Sequence, residues 1–355
     1  MEATNLDDLA ALESLDPEGM LGHVAALPRQ VSDAWALTRN LDLPVSHFCA
    51  DKVLVAGMGG SAIGGDLAVA VASGKSPIPI AVLRNYELPS YVDRQTLVIA
   101  SSYSGNTEEV LSMSREAHGR GCPLVAITTG GELARLAREW GVPAITFDYS
   151  SQPRAALGYM FVSLLGVLRA IGAVGSLESE IEEAVALLKS AGAELAPETP
   201  LAQNRAKQLA TELHGRLPVV VGAGLLAPAA RRWKTQLNEN SKSWAYWEPL
   251  PEMNHNAMSG IHFPGWLAEQ VAVLFLDGAD MHPRNRLRLD LARQIFEGQG
   301  VRCHQIPVGG QSRLAQLLAA VQLGDYVSCY LAFLNGTDPT AIDDIVGLKQ
   351  RMSQQ

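Results

Sequence analysis

Short apolar runs recur through the first half of the chain: KVLVAG, PIPIAVL, TLVIAS, PLVAIT and PAITF, several of them followed by stretches with helical spacing. Uniformly apolar, β-branched runs bounded by turn signals read as strands buried on both faces, and their alternation with helices predicts a parallel sheet covered on both sides. Ahead of them, residues 6–41 place apolar side chains at helical spacing, broken by Pro17 and Pro28, which predicts two or three helices leading into the first domain. After them, RAALGYMFVSLLGVLRAIGAVG reads as a largely buried helix closing that domain near residue 175. Its 22 residues match a membrane span in length, but Arg154 and Arg169 bracket it and no second span accompanies it.

The acidic helical segment SLESEIEEAVALLKSAG and the proline-marked APETPLA then form a link to a second series. That series runs RLPVVVGAG, helix APAARRWKTQLNENSK, apolar QVAVLFL, helix RNRLRLDLARQIFEGQG, VRCHQIPV and a final helix from about Ser312 to Leu334. The expected fold class is α/β, with an N-terminal helical segment over 1–48, one domain over 49–175 and a second over 200–355 that includes a C-terminal helical segment. The halves follow one plan without being repeats by sequence identity.

Length supports two domains, since 355 residues exceed one ordinary core. A content of 47% hydrophobic and 18% charged residues is that of a globular protein. The N-terminal MEATNLDDLAALESLDPEG is acidic and lacks the basic and apolar parts of a secretory signal, so the expected location is the cytoplasm. A net charge of -9, with no basic cluster beyond ARRWK, argues against nucleic acid as a partner, and no unbroken apolar run is long enough to make a membrane one. Cys49, Cys122, Cys303 and Cys329 form no CxxC and read as reduced, small buried hydrophobes. The eight histidines show no HExxH or HxH spacing, so neither a metal site nor a cofactor is expected.

Two loops carry the chemistry. The first strand runs straight into GMGGSAIGGD, residues 57–66, where glycine allows close backbone approach and the following helix offers its N-terminal N–H groups to an anion. Gly57, Gly59 and Ala62 also satisfy GxGxxG/A, which keeps a dinucleotide site as a competitor. SSYSGNTEE, residues 101–109, follows the third strand. In a flavodoxin-like sheet of order 2-1-3-4-5 the first and third strands are neighbours at the switch point, so the two loops meet there. Gly60 and Ser61 on one side, with Ser102, Ser104 and Thr107 on the other, would surround one phosphate with hydroxyl and backbone donors. Ordinary helix capping explains Ser104 or Asn106 equally well when either is taken alone. The combination of both loops favours phosphate, because a dinucleotide needs no second cradle at that point.

GMGGSAIGGD together with SSYSGNTEE resembles the sugar isomerase (SIS) domain, whose serine and threonine loops bind sugar phosphates. QPRAALGY, RWKTQLNENSK, PEMNHN and the closing DDIVGLKQR stand in the same order as in the bifunctional phosphoglucose/phosphomannose isomerase family, so the resemblance runs from near residue 50 to the end of the chain. It implies two flavodoxin-like SIS domains and a metal-independent aldose–ketose isomerase acting on glucose 6-phosphate, mannose 6-phosphate and fructose 6-phosphate through a cis-enediolate. It further implies that Glu239 shuttles the proton and that Arg154 stabilises the enediolate. His255 would assist ring opening from the neighbouring subunit of a homodimer, and Lys349 would lie near the ring oxygen. Such chemistry does need a carboxylate base, a group to move the ring proton and a fixed cation. Taken singly, each of these four residues reads as an ordinary surface or loop side chain.

The departures from the family are local. NHNA stands where such enzymes often carry an acidic residue after the second Asn, and Ser259, Gly260 and Ile261 follow where an aromatic is common. These changes bear on substrate preference more than on chemistry. The main alternative is a non-catalytic SIS regulator that binds sugar phosphate. An amidotransferase-linked glucosamine-phosphate isomerase would need an N-terminal cysteine where position 2 is Glu.

Overall fold

The computed structural model describes residues 4–352 and 354, so Glu2 lies outside the described residues. Four helices come first: α1 (Leu9–Leu15), α2 (Met20–Ala25), α3 (Leu27–Thr38) and α4 (Val45–Phe48). Pro17 falls between α1 and α2, whereas Pro28 sits in the first turn of α3, where the missing N–H has no intrahelical partner to lose. The α/β region then runs β1 (Lys52–Gly57), α5 (Gly59–Ala72), β2 (Ile80–Leu83), β3 (Thr96–Ser101), α6 (Glu108–Gly119), β4 (Leu124–Thr128), α7 (Gly131–Trp140) and β5 (Ala144–Thr146). A 3-10 turn (Pro153–Ala156) leads into α8 (Leu157–Ala170), followed by α9 (Glu178–Leu195) and α10 (Arg205–Leu213). The second series is β6 (Leu217–Ala223), α11 (Ala227–Glu239), β7 (Tyr246–Leu250), α12 (Leu267–Gln270), β8 (Val271–Asp277), α13 (Pro283–Gly298) and β9 (Arg302–Pro307). The chain closes with α14 (Arg313–Leu334) and α15 (Asp343–Met352).

The first sheet has the order β2-β1-β3-β4-β5 with every pairing parallel, the flavodoxin-like arrangement expected. Its central strands are apolar because both faces are covered: every residue of β3 and β4 is buried. The second sheet, β7-β6-β8-β9, is also parallel and repeats the plan with one strand fewer. Its edge strand β7, YWEPL, escapes an apolar-run reading because Glu248 and Pro249 interrupt it. An edge tolerates both, since one side of the strand has no ladder to complete.

The described chain forms two compact units. One comprises Ala26–Lys189 with Gly310–Leu318 and contains the five-stranded sheet. The other comprises the remaining described residues, including α1, α2 and the four-stranded sheet. The apolar stretch that matched a membrane span becomes α8, in which Leu157 through Leu168 are all buried. Among the described residues, α14 is long and apolar enough by composition to cross a membrane, and 89% of its most apolar window is buried within the protein.

Candidate active site

Strand pairing brings the two phosphate-type loops side by side. The register of β1 on β3 sets Gly57 opposite Ser101, so both loops leave the same end of the sheet from adjacent strands. Ser61 Oγ accepts the Tyr103 backbone N–H at 3.3 Å, and Ser102 Oγ and Thr107 Oγ1 share a hydrogen bond at 2.8 Å. Ser61 and Ser102 are buried, Thr107 is half-buried and Ser104 is exposed. Gly105 turns the second loop at φ +68°, and a Cβ there would fall 1.9 Å from the Gly130 carbonyl oxygen, so glycine alone fits. At Gly60 a Cβ would stand 3.1 Å from the Pro153 carbonyl oxygen and 3.2 Å from Arg154 Cα, which shows how closely the glycine loop lies against the Arg154 turn.

Capping does not account for the hydroxyl residues. The N-cap of α6 is Thr107, and it makes no side-chain cap hydrogen bond, its hydroxyl being engaged with Ser102. Ser104 Oγ instead accepts from Asn106 N–H at 3.2 Å, while Asn106 Oδ1 accepts from Glu132 N–H at 3.0 Å and so caps the next helix, α7. Helix α5 likewise begins after Met58 without a side-chain cap. Two helices therefore start at the same end of the sheet with no side-chain acceptor on their N-terminal N–H groups, an arrangement that favours an anion. Glu108 and Glu109 occupy the first turn of α6, and the charge of Glu109, then burial and Glu108, holds the Tyr86 hydroxyl above its ordinary range.

Arg154 lies in the 3-10 turn ahead of α8 and is only 3% exposed. Two residues that sequence reasoning passed over hold this turn. Gln30 Nε2 donates to the Ala155 carbonyl at 2.8 Å and its Oε1 accepts the Gly158 N–H at 3.0 Å. Tyr103 Oη accepts the Ser151 N–H at 2.9 Å, tying the serine loop to the segment before Arg154. Gln30 had a sequence signal, being a polar side chain on the face of α3 otherwise built from Leu27, Val31, Ala34 and Trp35.

In the other unit, Glu239 is the last residue of α11 and is half-buried. The asparagines that flank it are anchors: Asn238 Nδ2 donates to the Ser243 carbonyl at 2.8 Å and Asn240 Nδ2 to Ser328 Oγ at 2.9 Å. The Lys242 ammonium donates to the Glu239 and Asn240 carbonyls, each at 3.0 Å, at the negative end of the helix. His255 ends a 3-10 turn (Glu252–His255) with its side chain exposed, and Lys349 is exposed on α15. Asn256, in the segment that departs from the family pattern, accepts the Ala257 N–H and donates to Glu252 at 2.8 Å. Gly260 and Ile261 line an apolar cavity of about 260 Å³ with Met253, Phe296 and Glu248, whose carboxyl is held above its usual range by burial and then by Glu252.

The structure thus gathers Gly60, Ser61, Ser102, Thr107 and the backbone of Arg154 within one unit, with Ser104 at the exposed edge. It places His255 and Lys349 on exposed positions of separate elements. Among the described residues, no group of three or more His, Cys, Asp or Glu side chains is arranged to hold a metal ion. None of the four cysteines forms a disulfide, and the expectation that they are buried holds for Cys122 and Cys329 only: Cys303 is intermediate and Cys49 exposed.

Parallel sheets of flavodoxin-like order, one of them ending in paired glycine and hydroxyl loops, define an α/β protein with an anion-type site at the switch point, and the SIS class is given by its C-terminal half. Residues 202–352 match the bacterial phospho-glucose isomerase C-terminal SIS domain. The chain is 40% identical over 336 residues to a bifunctional phosphoglucose/phosphomannose isomerase of Caldicellulosiruptor bescii, covering 94% of this chain and 99% of that one. It is 38% identical to the protein of that name from Aquifex aeolicus, over 85% of this chain and 90% of the other. In fold it resembles a hypothetical protein from Thermus thermophilus, with a TM-score of 0.74 at 16% identity and coverage of 95% and 90%. The chain belongs to the bifunctional phosphoglucose/phosphomannose isomerase family.

Proposed function

We propose that this protein interconverts glucose 6-phosphate and mannose 6-phosphate with fructose 6-phosphate through a cis-enediolate. The observation that carries the reading is the match along 94% of the chain to a relative bearing that bifunctional name. The paired loops support it as a seat for a sugar phosphate, with Gly60, Ser61, Ser102, Ser104 and Thr107 as phosphate donors. Glu239 takes the proton from C2 of the aldose and returns it to C1, Arg154 stabilises the enediolate charge, His255 assists ring opening and Lys349 serves the ring oxygen. A purely regulatory SIS protein is not favoured, because the relatives that match nearly the whole chain carry enzyme names.

A coupled assay with fructose 6-phosphate, EDTA present and both aldose products measured, tests the reading directly. The wild-type protein should form both, and absence of both would end the proposal. In the same assay Ser104→Ala/Thr107→Ala should raise KM roughly 10-fold or more with a smaller change in kcat, because donors remote from the reacting carbons bind ground and transition states alike. An unchanged KM would remove the phosphate role from these two residues.

We further propose a cytoplasmic homodimer in which each site receives His255 from the partner subunit. Four cysteines outside any disulfide suit a reducing compartment, and the exposed position of His255 leaves it open to a second copy. Mixing inactive Glu239→Gln and His255→Ala subunits should then restore part of the activity, since a mixed dimer contains one site with both wild-type groups. No recovery after demonstrated subunit exchange would place both residues in one protomer's site.

A further inference from the structure

Glu239 occupies an awkward place for a base. It is the terminal residue of α11, and helix ends fray because their last carbonyls lack intrahelical partners. A group that abstracts a carbon-bound proton must be held to within about half an ångström of its working position. What restrains this helix end is a row of polar side chains in the interior of the same unit.

The row joins α11 to the stretch of α14 from Ala320 onward. Arg232 grips Asp325 through both carboxylate oxygens, Nε to Oδ1 at 3.1 Å and Nη2 to Oδ2 at 2.7 Å. Trp233 Nε1 donates to the Ala320 carbonyl at 2.7 Å. Two turns further along α11, Asn240 Nδ2 donates to Ser328 Oγ at 2.9 Å, and Ser328 Oγ in turn donates to the Asp325 carbonyl at 2.7 Å. Asn335 Nδ2, at the end of α14, holds the Ser241 carbonyl at 2.8 Å and Ser243 Oγ at 3.1 Å. Positions 232, 233 and 236 share the buried face of α11 and the C-cap Asn240 continues it, so Glu239 is followed in the chain by a residue fixed on that face. Asn240, Ser241 and Ser328 are fully buried, where each of these bonds excludes water and a misplaced partner would be left unsatisfied.

We propose that Asn240, Ser328 and Asn335 are positioning residues for Glu239: their hydrogen bonds to and from α14 hold the final turn of α11 so that the Glu239 carboxylate keeps one orientation. The proposal rests on the reading of Glu239 as the proton-transfer base. Its consequence is specific to proton traffic. A fixed carboxylate takes the C2 proton, leaves the electron pair in the enediolate and returns that proton to C1 in part of the turnovers, the rest exchanging it with solvent first. A loosened one gives that proton more time to exchange with solvent before it is returned.

The test uses the full-length enzyme in heavy water. Ser328→Ala removes the oxygen that receives Asn240 and should lower kcat roughly 10-fold at unchanged KM, while raising the deuterium incorporated per turnover. Ser328→Thr keeps the hydroxyl and should leave the deuterium content at the parent level. Asn335→Ala alters an exposed position, so it folds even where a buried change does not, and it should shift both readouts in the same direction by a smaller factor. A merely structural role would reduce the fraction of active enzyme, scaling kcat and leaving deuterium per turnover where it was; that result in both alanine variants overturns the proposal. Glu239→Gln separates the two levels. If it retains activity, the base assignment fails and the positioning role falls with it; if it is inactive while Ser328→Ala and Asn335→Ala match the parent in both readouts, only the positioning role fails.

Discussion

Glu239→Gln is expected to lower kcat by roughly 10²- to 10⁴-fold with little change in KM. Glutamine keeps the size of the side chain and much of its hydrogen bonding, and Glu239 lies beside anchors, Asn238, Asn240 and Lys242, that act through their own side chains on backbone carbonyls and on Ser328. The substitution therefore removes a proton acceptor and leaves those three anchors in place. Both sugar reactions should suffer together, because one base serving two aldoses that are epimers at C2 needs only a rotation about C2–C3 of the open chain. Product formed in heavy water should carry solvent deuterium at C1 or C2 in the wild-type reaction. If the variant lost one activity and kept the other, or if no deuterium entered the products, a shared enediolate would have to be given up in favour of a hydride shift.

What could be read from the sequence follows from where burial leaves a periodic trace. The central strands, KVLVAG, TLVIAS, PLVAIT and QVAVLFL, are apolar on both faces, so their identity and order, and with them the switch point between β1 and β3, were legible. Strand β7 was not, because an edge strand carrying Glu248 and Pro249 leaves no such trace. The short helix α10 was missed for a related reason: its buried residues, Ala206, Lys207, Leu209, Ala210 and Leu213, include a lysine, whose ammonium is paired with Asp7 at 2.9 Å. Lysine on a buried face disguises helical periodicity.

The site divides in the same way. The loops announce themselves because glycine and hydroxyl residues cluster in short stretches of chain, and Gly105 is required by a contact with Gly130 that any larger side chain would abolish. Capping, an equal explanation for Ser104 or Asn106 alone, is separated from binding only by tertiary structure, since Asn106 caps α7, a helix that begins 25 residues further along. The supports of Arg154 and Glu239 were illegible for another reason. Gln30 reaches Ala155 across 125 residues and Asn240 reaches Ser328 across 88, and no local pattern encodes a partner at that distance.

Arg232→Met is expected to destabilise the protein by about 3–5 kcal/mol. Arg232 is 1% exposed and Asp325 5%, and their double hydrogen bond is the main compensation for taking the carboxylate out of water. Burial already raises the Asp325 carboxyl above its usual range even with Arg232 opposing it. Methionine matches the aliphatic stem of arginine but leaves the carboxylate with burial unopposed by a cation, so its folded-state affinity for a proton rises further. A raised folded-state value stabilises the native state below the unfolded carboxyl range and loses that contribution as pH rises through the folded one. The deficit should therefore be smaller near pH 5 than near pH 8, as read from the urea midpoint at each pH. Adding Asp325→Leu removes the stranded charge, and the double variant should recover most of the loss, because a pair of apolar groups in place of a buried ion pair is often neutral. Its Ser328 would still donate to the main-chain carbonyl of residue 325, so the recovery isolates the charge from the row of hydrogen bonds beside it. Equal losses in the single and double variants at both pH values would mean that Arg232 stabilises through the packing of its stem, and the argument from a buried charge would not stand.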